Sequence, residues 1–365
     1  MKNISMKLLA TASHVDGPYG GDMSKPAQEK KATVYDIARI AGVSASTVSR
    51  ILNGSAKVAE DKRLAVEEAI RELNFRPNLM AQYLKTGQSM TLGVLTQYVD
   101  SPFSNEMLRG VENALQGLEY APLIASGHWN AEEEVERLRL LIARRVDGII
   151  ILTGHVNQQT LLEFSQQVPI VATGHNINTE RVRSFSINNR LGGYMATRYL
   201  LDLGHRQIAH IIGLPDQSDA IERHHGYRQA LVSSGIEYDP ELVVQGDFAE
   251  AGGLNAVKQL VASGKKFSAI FCANDQTCYG AILGLKQCGL RVPEDVSLIG
   301  FDDLPFSIYS NPPLTTVRQP IYETGITLVN TLLGLIENTE IPPVELPELS
   351  IVVRDTTMPY NGSAD

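Results

Sequence analysis

From Thr91 onward, short apolar runs alternate with amphipathic helical stretches, and the alternation runs through twice. Nothing else in the chain limits its fold so tightly. A strand, a helical crossover and a second strand in the same direction make a parallel sheet with helices on its faces. The first set of strand-like runs is Leu92–Thr96, Pro122–Ala125, Gly148–Leu152 and Pro169–Ala172. The second is Ile208–Gly213, Leu242–Gln245, Ala269–Ala273 and Val296–Gly300. Helical periodicity fills the gaps, as in Asn105–Leu118, Ala131–Val146, Leu191–Leu203 and Leu254–Ser263. Two sets in succession predict two similar lobes. A helix over Ile321–Glu337 and a strand over Leu349–Arg354 follow both sets, so the chain recrosses between lobes, with crossings expected near 188 and 319.

The segment before this region reads differently. Over residues 33–74 the spacing predicts three short helices. Thr33 caps the first, with Asp36 at the capping-box position and Val34, Ile37, Ala38 and Ala41 as its apolar face. Gly42 supplies the turn, Ser44 caps a second helix over Ala45–Leu52, and Asn53-Gly54 ends it. A third helix is expected over about Ala59–Asn74 with Leu64, Ile70 and Leu73 facing inward, closed by Arg76-Pro77. A helix, a glycine turn and a capped second helix form a helix-turn-helix, whose second helix fits the major groove of DNA. Ala45, Ser46 and Arg50 are then placed to read base edges, Arg50 by pairing with guanine and Ala45 by methyl contact with thymine. Tyr35, Ser44, Thr47, Asn53 and Lys57 are placed to hold phosphates.

Charge agrees with that reading only when it is resolved along the chain. The whole carries −9, yet residues 31–90 hold nine Lys or Arg against six Asp or Glu, a balance of +3 on an otherwise acidic body. No apolar run approaches the ~18–20 residues of a membrane span. Three cysteines, Cys272, Cys278 and Cys288, lack metal-ligand spacing and fit buried thiols in a reducing, cytoplasmic setting. The chain carries no dinucleotide fingerprint, phosphate loop or nucleophile-elbow motif, and its eight histidines are not spaced for a metal. The expectation is a protein that is not an enzyme and has neither cofactor nor metal. Glu132–Glu134 reads as a solvated helix start.

The residues DIARIAGVSASTVSRILNG, then RPNLMAQYLKTGQS, resemble the lactose-repressor (LacI/GalR) family of bacterial regulators. The resemblance continues through LGHRQIAHIIG, ERHHGYRQAL, FCANDQTCYGAI, VPEDVSLIGFDDLPFS and PPLTTVRQP, covering nearly everything after Ala32. It implies an α + α/β protein: a three-helix helix-turn-helix head with a hinge helix, then a two-lobed periplasmic-binding-protein-like domain. The boundaries expected are an extension over 1–30 (or a start assigned upstream of Met23), the head over 31–76, a hinge and linker over 77–89, an effector-binding and dimerisation domain over 90–358, and a tail over 359–365. The family's hinge helices pair across a dimer axis and enter the minor groove, which assigns Asn78, Ala81 and Leu84 to that groove, Leu84 as the wedge between bases. Eight residues form a marginal helix alone, so ordering on DNA is a natural switch.

The body's resemblance places a ligand between lobes at the carboxyl ends of strands, where open α/β sheets bind ligands. Asn274 and Asp302 end predicted strands, Phe103 and Ser104 lie between the first strand and its helix, Arg223 opens the helix around Gly226, and Phe248 follows a strand. Positions matching Arg223, Asn274 and Asp302 contact the effector in the family, and an aromatic often stands at Phe248. An arginine and a carboxylate suit vicinal hydroxyls, but the same set could stack a purine or nucleoside. The expectation is a homodimeric repressor on a palindromic double-stranded operator, located in the cytoplasm on the nucleoid and released by a sugar or glycoside. The alternatives are a purine or protein corepressor that tightens binding, and a soluble ligand-binding protein.

Overall fold

A computed structural model describes residues 32–52, 58–75, 87–152, 154–340, 346–360 and 362. The chain divides into an N-terminal unit that ends at Gln82 and a larger unit from Tyr83.

In the first unit, α1 (Val34–Ile40), α2 (Ala45–Leu52) and α3 (Glu60–Glu72) close around Ile37, Ala38, Val48, Val66 and Ala69. The Thr33–Asp36 capping box forms in both directions, with Thr33 N donating to Asp36 Oδ2 at 3.0 Å. Gly42 stands at φ +65°, which a side chain would strain, and Thr47 N donates to Ser44 Oγ at 3.2 Å to cap α2. Leu64 departs from expectation: it is 51% exposed. Val66, Ala69, Ile70 and Leu73 share one face of α3, and Leu64, two positions before Val66, is turned about 200° from it.

The larger unit holds two sheets. The first is β2 (Ala121–Ser126), β1 (Thr91–Thr96), β3 (Gly148–Ile151), β4 (Ile170–Thr173) and β5 (Val182–Phe185) in that order, all parallel. The second is β11 (Ser350–Val352), β10 (Thr316–Arg318), β9 (Ser297–Asp302), β8 (Ala269–Cys272), β6 (Ile208–Ile212) and β7 (Val243–Gln245). It is parallel except where β11 runs against β10. Fully buried Ile149, Ile150 and Ile151 on β3 show why these strands read as continuous apolar runs: helices cover both faces.

The first lobe carries α4 (Pro102–Leu115), α5 (Ala131–Ala143) and α6 (Gln158–Ser165); the second carries α7 (Asn189–Asp202), α8 (Ser218–Ser233), α9 (Glu250–Ala262) and α10 (Asp275–Gln287). The chain crosses between β5 and α7, returns between β10 and α11 (Ile321–Glu337), and crosses again before β11. α11 packs on α4 and β3 and shares the first lobe's core through Ile321, Leu328, Val329 and Leu332. No described helix is long and apolar enough to cross a membrane. Cys272 and Cys278 are buried and Cys288 half-buried.

Three local readings change. α4 begins at Pro102, whose fixed φ suits a first helical residue, so Phe103 and Ser104 sit in the first turn and not in a loop. α8 begins at Ser218, which puts Arg223 in its second turn and not at its start. Glu134 is not solvated but fully buried, and its Oε2 accepts from His155 N at 2.7 Å and Val156 N at 3.0 Å. Those two amides lie in the turn after β3, where a carboxylate is the available acceptor.

Candidate nucleic-acid interface and ligand cleft

On α2, Val48 goes into the core while Ser46 and Arg50, four residues apart, lie on an exposed face. Ser44 Oγ lies 2.8 Å from both Ser46 Oγ and Thr47 Oγ1, so the three hydroxyls cluster at the helix start. Arg50 Nε donates to Ser46 O at 3.3 Å, laying the guanidinium back along the same face. Tyr35 is 77% exposed on α1. Ala45 is half-buried and rests partly on the core, leaving less methyl outward than Ser46 leaves hydroxyl. Asn53, Lys57, Asn78, Ala81 and Leu84 lie outside the described residues.

In the larger unit, Phe103, Ser104, Arg223, Phe248, Asn274 and Asp302 line one cavity of about 360 Å³. Phe103 and Ser104 come from the first lobe and the other four from the second, so the cavity lies between lobes.

Each second-lobe side chain is held by an identifiable cause. α7 and α8 touch backbone to backbone at Gly193 and Gly226; a Cβ on Gly193 would land on the Arg223 carbonyl. That approach lets Arg223 Nε donate to Asn189 Oδ1 at 2.9 Å, while Nη1 donates to Ala273 O at 2.6 Å. The guanidinium carbon lies 3.7 Å from the centre of the Phe301 ring, and Arg223 is 4% exposed. Its Nη1 is 3.9 Å from Asp302 Oδ1, which also accepts from Gln319 Nε2 at 2.5 Å. Among the described residues, Arg223 Nη2 and Asp302 Oδ2 have no hydrogen-bond partner. A guanidinium donor and a carboxyl oxygen, which donates when protonated and accepts when ionised, therefore stand side by side at the floor of the cleft. Asn189 starts α7 and Gln319 follows β10, so residues at two of the three crossings between lobes hold the floor.

Phe248 has a φ of +67°, and its ring lies over Gly213, where a Cβ would collide with it. Asn274 Nδ2 donates to the Phe248 carbonyl at 3.0 Å, and Asn274 Oδ1 caps α10 by accepting from Thr277 N. Asp302 stands at φ +119° and Asp303 at +57°. Asp303 is anchored by Arg318 and Arg354 at 2.6 Å each, and Leu304 N donates to Asp275 at 2.8 Å, which together hold the turn open. Burial pushes the Asp302 carboxyl up to about 8, against the pull of Arg223. Burial likewise raises Asp275 to about 7, against hydrogen bonds from Ser307, Thr316 and Leu304. Ser104 Oγ accepts from Thr96 Oγ1 at 2.8 Å, keeping its own proton for a ligand or neighbour.

Sequence reasoning missed Gln97, Trp129 and Asp219, which also line the cleft. Gln97 Oε1 accepts from Trp129 N at 2.6 Å, and Asp219 accepts from Asn189 at 2.8 Å. The chain's single tryptophan follows β2 at the strands' carboxyl edge, the same rule that singled out Asn274, so a signal for Trp129 existed. Trp129 also touches His155, whose Nε2 meets Gln217 and lies 3.4 Å from Asp216 of the other lobe. Among the described residues, no group of three or more His, Cys, Asp or Glu could hold a metal ion.

Comparison with known proteins gives three consistent results. Residues 33–78 match the family model described as bacterial regulatory proteins, lacI family, and residues 197–357 match a periplasmic binding protein-like domain. The HTH-type transcriptional repressor PurR of Aliivibrio fischeri (strain ATCC 700601 / ES114) is 36% identical over 313 residues, covering 85% of this chain and 93% of that protein. Among solved structures, the lac repressor dimer bound to operator and the anti-inducer ONPF superposes with a TM-score of 0.80 at 29% identity, covering 90% of this chain and 100% of that one. A transcriptional regulator CelR–cellobiose complex gives 0.66 at 33% identity, covering 89% and 99%.

Proposed function

The chain belongs to the lacI family of bacterial regulatory proteins, DNA-binding transcriptional repressors with an effector domain, and on that premise we propose that it represses carbohydrate-utilisation genes and leaves a palindromic operator when a sugar or glycoside enters the cleft. Ser46 and Arg50 read bases, with Ala45 in a lesser part; Tyr35, Ser44, Thr47, Asn53 and Lys57 hold phosphates; Asn78, Ala81 and Leu84 form the minor-groove hinge. The protein works as a homodimer, matching the two-fold symmetry of such operators, and acts in the cytoplasm on the nucleoid. It binds its ligand and does not turn it over.

One observation carries the effector reading. Arg223 and Asp302 present an open donor and an open carboxyl oxygen side by side, beneath aromatic walls from both lobes. Vicinal hydroxyls match that pair, and a ring's apolar face matches Phe248 and Trp129. The related structure with cellobiose supports the same class. The relative named PurR favours a second reading, in which a purine stacks on the aromatic walls and tightens operator binding.

A thermal-shift panel of sugars, glycosides, purines and nucleosides separates the two. A ligand at about a hundred times its Kd stabilises the folded state by about 2.7 kcal/mol. A sugar response lost in both Arg223→Ala and Phe248→Ala, each checked for folding by circular dichroism, supports the sugar reading. A response to purines alone overturns it.

A further inference from the structure

The charges around the cleft say more about its ligand. Five carboxylates line it, Asp100, Asp219, Asp247, Glu250 and Asp302, against a single basic residue, Arg223. With Asp302 protonated the lining is still strongly negative. Helix starts in this kind of fold ordinarily attract anions. Here α8, α9 and α10 each carry a carboxylate in the first turn, Asp219, Glu250 and Asp275 respectively, so each such place already holds a negative group.

Apart from Arg223, which lies 3.9 Å from Asp302, the hydrogen-bond partners of these groups are neutral. Asp219 accepts from the Asn189 amide at 2.8 Å, Asp247 from the Ala249 backbone N–H at 2.9 Å, Glu250 from the Gln276 amide at 3.2 Å and Asp302 from the Gln319 amide at 2.5 Å. Such bonds fix the side chains in place without cancelling the charge of Asp219, Asp247 and Glu250. Each leaves an oxygen to face a hydroxyl, and among the described residues no group of three or more His, Cys, Asp or Glu could hold a metal ion.

We infer that the cleft selects a neutral polyhydroxylated ligand and rejects its phosphorylated counterpart, by charge and not by shape. The inference rests on the effector reading above and narrows it. At an effective dielectric near ~20, one uncompensated like-charge pair about 8 Å apart weakens binding by more than tenfold. A phosphate ester should therefore bind about a hundredfold more weakly than its parent sugar, and the gap should depend on salt, because Asp100 and Glu250 stand on the exposed rim.

The test is calorimetric titration of the full chain with glucose, galactose, ribose and cellobiose, and with their phosphate esters, at about 0.05 M and about 0.5 M salt. The expected result is a neutral sugar that binds while its ester binds about a hundredfold more weakly, with the gap narrowing severalfold at high salt. In Asp100→Asn/Glu250→Gln the ester-to-sugar affinity ratio should rise in the same sense. An ester that binds as well as the neutral sugar overturns the inference and leaves the sugar reading standing. A gap indifferent to salt also overturns it, because shape would then be the cause; this arm needs no variant. No sugar of either kind binding, with a purine bound instead, overturns the underlying reading and the inference with it.

Discussion

Asp302→Asn should stabilise the effector domain in alkaline solution while weakening its ligand. In the folded chain burial raises the Asp302 carboxyl to about 8, whereas an exposed aspartate titrates near ~3.9. Between those values the folded chain keeps a proton that the unfolded chain has released. Stability therefore falls as pH rises through that window. The full difference sets a ceiling of about 5–6 kcal/mol. Water in the cleft and relaxation around Arg223 reduce it, and about 2 kcal/mol is expected at the alkaline end. Asparagine does not titrate, still accepts from Gln319, and tolerates a positive φ better than most residues. The variant's advantage should be near zero around pH 4–5 and reach about 2 kcal/mol by about pH 8.5. The Asp275 charge helps to raise the Asp302 carboxyl, so removing the Asp302 charge also eases Asp275 ionisation and acts in the same direction at alkaline pH. Urea unfolding followed by the fluorescence of Trp129, the only tryptophan, reads this domain directly. A variant less stable than the parent at pH 8.5, or an advantage equal at both ends of the range, would refute the assignment of a buried, protonated Asp302.

Three further outcomes follow from particular contacts. Gly226→Ala would drive a methyl into the Arg190 carbonyl and should cost about 3 kcal/mol or more, read as a lower urea midpoint and weaker ligand binding together. Glu134→Ala strands the buried amides of His155 and Val156 and should cost about 2–4 kcal/mol, with Glu134→Gln losing less because an amide oxygen still accepts. Arg50→Ala should lower specific operator affinity by about 1–3 kcal/mol and change binding to random duplex much less, measured by anisotropy on both DNAs.

The sequence made some of this legible and hid the rest for physical reasons. The fully buried strands announced themselves because a parallel sheet covered on both faces must be apolar throughout, as in Gly148–Ile151. β5 did not: it is a four-residue edge strand, Val-Arg-Ser-Phe, with only Val182 buried, and carries neither a run nor an alternation. Leu64 was misread because a leucine in a helix invites an inward assignment, while the face is set by Val66 and Ala69. In the cleft, Asn274 and Asp302 were visible because strand ends are where such sheets bind ligands. Asn189 and Gln319 were not, since their role depends on two crossing segments meeting across the fold, which no local pattern records. Glu134 looked like any acid in a first helical turn, and only the turn at His155 and Val156 brings it inside.

The central claim is that a sugar in the Arg223–Asp302 cleft releases the protein from a specific DNA site. It is tested most directly by selecting duplexes from a random pool and then titrating the enriched site by fluorescence anisotropy, with and without the sugar that binds the cleft, for the parent and Arg223→Ala. The account predicts an enriched palindrome whose Kd rises about tenfold or more with sugar in the parent, a coupling of about 1.4 kcal/mol or more, and stays unchanged in the variant. A pool with no enriched sequence, or a ligand that tightens binding, would contradict it.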